Sequence, residues 1–121
     1  MDLAYLTPQP VRERRAARRV QVNLPARYAS AGMEVVGWVA NLSRDGMFVR
    51  SAVLDVDGAE VSVSFELPGE ERPVALLGRV VRVHGGALCP GMAIRFTQVA
   101  DGVQRKLAMF MQKRQRLSSN P

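Results

Sequence analysis

From Val20 to Phe96 the chain alternates apolar and polar residues in runs too short for helices, and each run ends at a turn signal. A period of two puts every second side chain on one face, which is the pattern of a half-buried strand. Val20, Val22 and Leu24 alternate with Gln21 and Asn23 and predict a first strand. Pro25 lacks the N–H a ladder needs, so it puts this strand at an edge or bends it there. Ala31-Gly32 is a turn, and Val35, Val36, Trp38 and Val39 predict a second strand ending at Asn41. Asp45-Gly46 precedes a third strand through Met47, Phe48 and Val49. After a turn from Asp55 to Gly58, Val61, Val63 and Phe65 alternate with Ser62, Ser64 and Glu66 as a fourth. A charged loop from Pro68 to Pro73 leads into a long fifth strand, Val74 to Val83. Gly85-Gly86 separates it from a sixth, carried by Met92, Ala93, Ile94 and Phe96.

Only the end of the chain changes period. Val103, Leu107, Phe110, Met111 and Leu117 fall at helical spacing, and Asp101 followed by Gln104 resembles a capping box. Six short strands and one helix predict a mainly β protein: a six-stranded antiparallel barrel or sandwich closed by a C-terminal α-helix. At 121 residues, 47% of them hydrophobic, the chain has material for one core and one domain. The expected organisation is a flexible lead-in over 1–11, the domain over 12–117 and a flexible tail over 118–121.

Several chemistries are excluded at this level. One His and one Cys leave no cysteine framework and no paired metal ligands. His84 beside Gly85-Gly86 reads as an exposed loop histidine, and Cys89 as a buried or inert thiol. Asp55 and Asp57 lack a downstream carboxylate at calcium-loop spacing, so they read as an ordinary turn. No Gly-rich phosphate loop with a following Lys is present. No catalytic residue, metal site or cofactor is therefore expected, and the chain is expected not to be an enzyme. No apolar stretch approaches the ~18 residues needed to span a bilayer, and Met1 to Pro10 lacks the layout of a signal peptide. The expected location is the cytoplasm.

The net charge of +6 is concentrated at the two ends. Residues 12–27 carry six arginines against Glu13 alone, and residues 105–116 carry five basic residues and no acid. The body between, 28–104, has six arginines against nine acids. Such asymmetry points to an anionic partner met by the ends. Arg14, Arg15, Arg18 and Arg19 form the densest cluster and offer two pairs four residues apart, Arg14/Arg18 and Arg15/Arg19. Guanidinium is suited to phosphate and to the O6/N7 edge of guanine, which it grips with two parallel bonds. A second motif, Asn41-Leu42-Ser43-Arg44-Asp45-Gly46, lies between two strands. Asn41 and Ser43 can brace a turn whose Gly46 permits positive φ, or can form a small polar cup for a base or phosphate.

Taken together, Arg15-x-x-x-Arg19 and Asn41-x-Ser43-x-x-Gly46 resemble the PilZ domain of bacteria. The hydrophobic run after Arg19 and the strand Gly91 to Phe96 are similar to that family too, and the resemblance spans roughly residues 12–115. It implies a six-stranded PilZ-like barrel with a C-terminal helix and a non-catalytic receptor for cyclic di-GMP, a second messenger with two guanines and two phosphates. It further implies that Arg15 and Arg19 grip phosphate and a guanine edge, that Asn41, Ser43 and Gly46 receive the other guanine, and that Arg14 accompanies a ligand bound as a stacked pair. An unidentified downstream protein would read the bound state. The alternatives are a PilZ-like adaptor that binds protein and no nucleotide, or a small-barrel nucleic-acid-binding protein. The latter ranks lower because no aromatic residue interrupts the arginine cluster.

Overall fold

The structure, a computed structural model, describes residues 19–86 and 88–119. It contains β1 (Val20–Ser30), β2 (Glu34–Leu42), β3 (Gly46–Arg50), β4 (Glu60–Phe65), β5 (Val74–His84), β6 (Gly91–Gln98) and α1 (Asp101–Ser119). All neighbouring strands are antiparallel and close a barrel in the order β1-β2-β3-β6-β5-β4. Of the barrel or sandwich that the alternation allowed, the six-stranded barrel with a C-terminal helix implied by the family resemblance is the observed fold. Closure removes the exposed edges that an open sheet of this size would have to protect. The expected lead-in, residues 1–11, and Arg14, Arg15 and Arg18 lie outside the described residues.

Alternation places the core. Tyr28, Val39, Val49, Val63 and Val80 are fully buried inside the barrel, joined by Leu42, Phe65, Met92 and Ile94. Each such side chain contributes roughly 1.5–3 kcal/mol by leaving water. β1 runs through Pro25 to Ser30, ending just before the turn expected at Ala31-Gly32. Pro25 pairs with Trp38 on β2, while the ladder to β4 starts only at Ala26. The proline thus precedes the doubly paired half of the strand, where a missing N–H would cost a hydrogen bond.

The helix starts differently from expectation. Ala100, not Asp101, accepts the first helical bond, from the Gln104 N–H at 2.9 Å. The Gln104 side chain donates to the Val99 carbonyl at 3.3 Å, so the capping box does not form as expected. Asp101 instead occupies the first turn, where its charge complements the helix dipole. Leu107 and Met111 are buried in the barrel core, with Val103 and Phe110 half-buried beside it. Two polar contacts fix the helix direction: Lys106 to Glu70 at 3.4 Å, and Arg114 donating to the Gln21 carbonyl at 2.6 Å. The Arg114 guanidinium also lies 5.7 Å from the centre of the Phe110 ring. The helix continues to Ser119, two residues past the expected domain end. Cys89 is exposed, not buried as expected, because the β5–β6 connection that carries it stands clear of the core.

One carboxylate ties the β3–β4 connection to the end of β1. Asp55 accepts from the Tyr28 hydroxyl at 2.8 Å, from the Ser30 hydroxyl at 2.6 Å and from the Val56 N–H at 2.8 Å. These donors, the Ser30 hydroxyl first and then Tyr28, hold the Asp55 carboxyl below the usual aspartate range. Burial and the facing carboxylate push the Tyr28 phenol above its ordinary value, so it remains a donor. Because folding lowers the Asp55 pKa, its bonds stabilise the native state fully above the ordinary value of ~3.9. That contribution fades as pH falls through the lower native value. Tyr28→Phe should therefore cost about 1 kcal/mol at neutral pH, and Asp55→Asn should flatten the decline of stability below pH ~4. Chemical denaturation across an acid pH series checks both.

Candidate ligand site

Strand register brings the two sequence motifs together. On β1 and β2, Val20 pairs with Leu42 and Gln21 with Asn41, so one further step sets Arg19 beside Ser43. The register of β2 against β3 shifts between Val39 and Asn41. Such a bulge re-aims the residues beside it. Val39 and Leu42 both stay fully buried across the bulge, and Asn41 is left half-buried between them. A regular strand, with its strict period of two, could not bury both Val39 and Leu42.

The turn that follows is organised around one hydroxyl. The Ser43 Oγ accepts from the Asp45 N–H at 3.2 Å and the Gly46 N–H at 3.1 Å, and donates to the Gly46 carbonyl at 3.2 Å. The Ser43 N–H reaches the same carbonyl at 2.9 Å. A hydroxyl has one proton and two lone pairs, so Ser43, 4% exposed, is saturated within its own turn. Its part is to set the shape of the turn. The Phe96 N–H then fastens the turn to β6 by donating to the Asp45 carbonyl at 2.8 Å. Gly46 is needed for a different reason from the one read in the sequence. Only Gly58 and Gly69 have positive φ among the described glycines. At Gly46 an added Cβ would collide with the Ile94 carbonyl oxygen of the adjacent strand.

These elements border an open cleft of about 620 Å³, within the ~300–1,000 Å³ common for small-molecule sites. Arg19, Ser43 and Gly46 line it together. Arg44, Asp45, Arg95, Phe96 and Gln104 line it as well, and the sequence analysis did not select them for binding. Arg95 and Arg44 could have been found from phase: one lies on the outward side of β6 and the other at the exposed crest of the turn. Three arginines face one carboxylate, so the cleft favours an anion. A neighbouring hollow of about 500 Å³ shares Arg44, Asp45, Val99 and Gln104 with it and adds Arg105. Asn41 is not in the lining of either. Its Oδ1 is buried and has no hydrogen-bond partner among the described residues. Among the described residues no group of three metal-ligating side chains occurs, and no helix is long and apolar enough to cross a membrane.

The turn geometry has a direct consequence for stability. Ser43→Ala leaves two N–H groups without their acceptor and should cost about 1–2 kcal/mol. Gly46→Ala forces β3 away from β6 and should cost more than Ser43→Ala. Urea denaturation of the two variants beside the wild type checks the order; a Gly46→Ala protein as stable as wild type would contradict the close approach.

The same fold recurs in solved structures. The Bacillus subtilis inhibitor of motility MotI/DgrA is 23% identical with a TM-score of 0.78, covering 89% of this chain and 54% of that one. This chain therefore spans about half the length of that relative. The PilZ domain of YcgR from Escherichia coli, solved with c-di-GMP, is 16% identical with a TM-score of 0.67, over 87% of this chain and 94% of that one. A Xanthomonas campestris protein described as a tetrameric PilZ domain self-assembled through a helical bundle is 14% identical with a TM-score of 0.70, over 98% and 100%. No curated protein sequence matches the chain. The PilZ domain family model matches residues 13–113, which takes in all six strands and most of α1, and the chain belongs to that family.

Proposed function

We propose that this chain is a non-catalytic receptor for cyclic di-GMP, acting in the cytoplasm through a domain over residues 12–117. The observation that carries the reading is the β1–β2 register, which sets Arg19 and the Ser43–Gly46 turn on one arginine-lined cleft. Membership of the PilZ family supports the ligand, as does the Escherichia coli relative solved with c-di-GMP. Arg15 and Arg19 grip phosphate and a guanine edge, with Arg14 and Arg18 as the alternative register. Gly46 lets the ligand approach the backbone, and Ser43 keeps the turn in shape. Asn41, expected to receive the second guanine, lies outside the cleft lining, with its Oδ1 buried and without a partner among the described residues, so the reading rests on Arg19, Ser43 and Gly46.

Output follows from position. Ligand held by the arginine segment fixes that segment against the start of β1, where Arg114 of α1 meets the Gln21 carbonyl. An unidentified downstream protein then meets a changed surface formed by the segment and the helix. Charge-assisted hydrogen bonds contribute roughly 1.5–3 kcal/mol each, so Arg15→Ala or Arg19→Ala should weaken binding about tenfold to a hundredfold in calorimetry with cyclic di-GMP. A wild-type protein that takes up no cyclic di-GMP at high micromolar concentration would replace this reading with the protein-binding adaptor.

We further propose a stacked pair of ligands. Two ligands bring four phosphates together, and these repel unless several cations surround them. Arg14 adds a cation beside the Arg15/Arg19 pair, and the two adjoining hollows add Arg44, Arg95 and Arg105 against Asp45 and Asp101. Titration of the wild type should saturate at two ligands per chain, and Arg14→Leu should reduce that towards one; saturation of the wild type at one would rule the pair out.

A further inference from the structure

Four residues from four strands form one row across the outside of the barrel. Gly46 on β3 pairs with Arg95 on β6, Arg95 pairs with Arg79 on β5, and Arg79 pairs with Glu60 on β4. Two arginines thus sit directly opposite each other, an arrangement that destabilises a sheet. Arg79 has an outlet, since its guanidinium lies 3.5 Å from the Glu60 carboxylate. Among the described residues no carboxylate lies within ion-pair distance of Arg95.

The two arginines also border different spaces. Arg79 borders a hollow of about 490 Å³ together with Glu60 and the end of β1. Arg95 lines the candidate cleft with Arg19 and Arg44, and the neighbour on its other side is Gly46, which has no side chain. On the β3 side, therefore, no paired side chain stands beside Arg95. Arg95 is carried by a barrel strand paired on both sides, so it offers a planar two-donor fork from a rigid base.

We infer that Arg95 is a ligand-binding residue outside both sequence motifs, forming with Arg19 and Arg44 a three-cation subsite for a phosphate of the dinucleotide. The inference rests on the receptor reading and extends it. An anion in this subsite relieves the Arg79–Arg95 repulsion, so the unliganded sheet carries a strain that the ligand removes. Arg95→Ala should remove the same strain without ligand. It separates affinity from stability in a way a merely structural residue would not.

The test is calorimetry with cyclic di-GMP at low and high salt, beside thermal unfolding of the free proteins. Arg95→Ala should bind about tenfold more weakly or worse, with a shallower salt dependence and a melting temperature equal to or above wild type. Arg95→Lys should recover part of the affinity, and Arg79→Ala should stay within about twofold of wild type. Wild-type binding with Arg95→Ala within about twofold of it would overturn the Arg95 assignment and leave the receptor reading intact. Weaker binding accompanied by a lowered melting temperature would likewise overturn it, in favour of a structural role. A wild type that does not bind cyclic di-GMP would overturn the receptor reading and this inference with it.

Discussion

The pairing of β1 with two strands at once is the constraint on which the rest of the molecule depends. Its C-terminal half lies between β2 and β4 and closes the barrel, while its N-terminal half pairs with β2 alone. Closure satisfies the backbone of residues 26–30 on both sides and buries Ala26 and Tyr28. The singly paired half behaves differently: its register shifts between Gln21 and Leu24, and Gln21 offers its carbonyl to Arg114 instead. One strand thus joins a rigid half that builds the core to a half that presents Arg19 beside the Ser43 turn and touches α1. Arg19 follows directly from that register, because Val20 opposite Leu42 leaves it one place to go.

The turn between β2 and β3 shows how little of a binding motif has to touch ligand. Ser43 is spent on the turn itself, and Gly46 is demanded by the nearness of Ile94. Both would be required by this backbone even if nothing bound there. What they produce is a turn crest fastened to β6 through Asp45 and Phe96, with Arg44 exposed on it. Other groups that line the cleft come from outside the turn, Arg19 from just before β1 and Arg95 from β6. Asn41 is half-buried beside the same turn, and its buried Oδ1 has no hydrogen-bond partner among the described residues.

Much of this was legible in the sequence. Alternation placed the first and fourth strands, and short apolar runs between turn signals placed the others. The tail read as a helix because Leu107 and Met111 sit one turn apart, and both are buried. The features that escaped are those fixed by contacts between distant segments. Pro25 could not reveal where its strand gains a second partner, since that depends on where β4 begins to pair. Asp101 resembled a cap, but the chain entering from β6 brought Val99 within reach of Gln104 instead. Asp55 read as a turn residue, and nothing local linked it to Tyr28 and Ser30, which lie 27 and 25 positions away. Gly46 was read as a residue that permits positive φ, whereas the structure requires it for a close approach to Ile94, which leaves no trace in local sequence.

Charge shows the same distinction between what the chain states and what the fold arranges. Read linearly, residues 28–104 are mildly acidic, and the basic character lies at the two ends. Folding redistributes it. Glu60 and Glu70 are drawn into ion pairs with Arg79 and Lys106 away from the cleft lining. Arg44 and Arg95, both from the acidic stretch, meet Arg19 on the cleft, with Asp45 as the only carboxylate in its lining among the described residues. Bringing those cations together works against folding, since like charges repel more strongly as water is displaced from between them. The fold tolerates this because all three arginines remain exposed, where solvent and salt screen them. A ligand entering the cleft removes some of that screening and must supply negative charge in its place. A neutral molecule of the same shape would leave the arginines both unscreened and unpaired, so the charge of the cleft favours an anion over a neutral molecule.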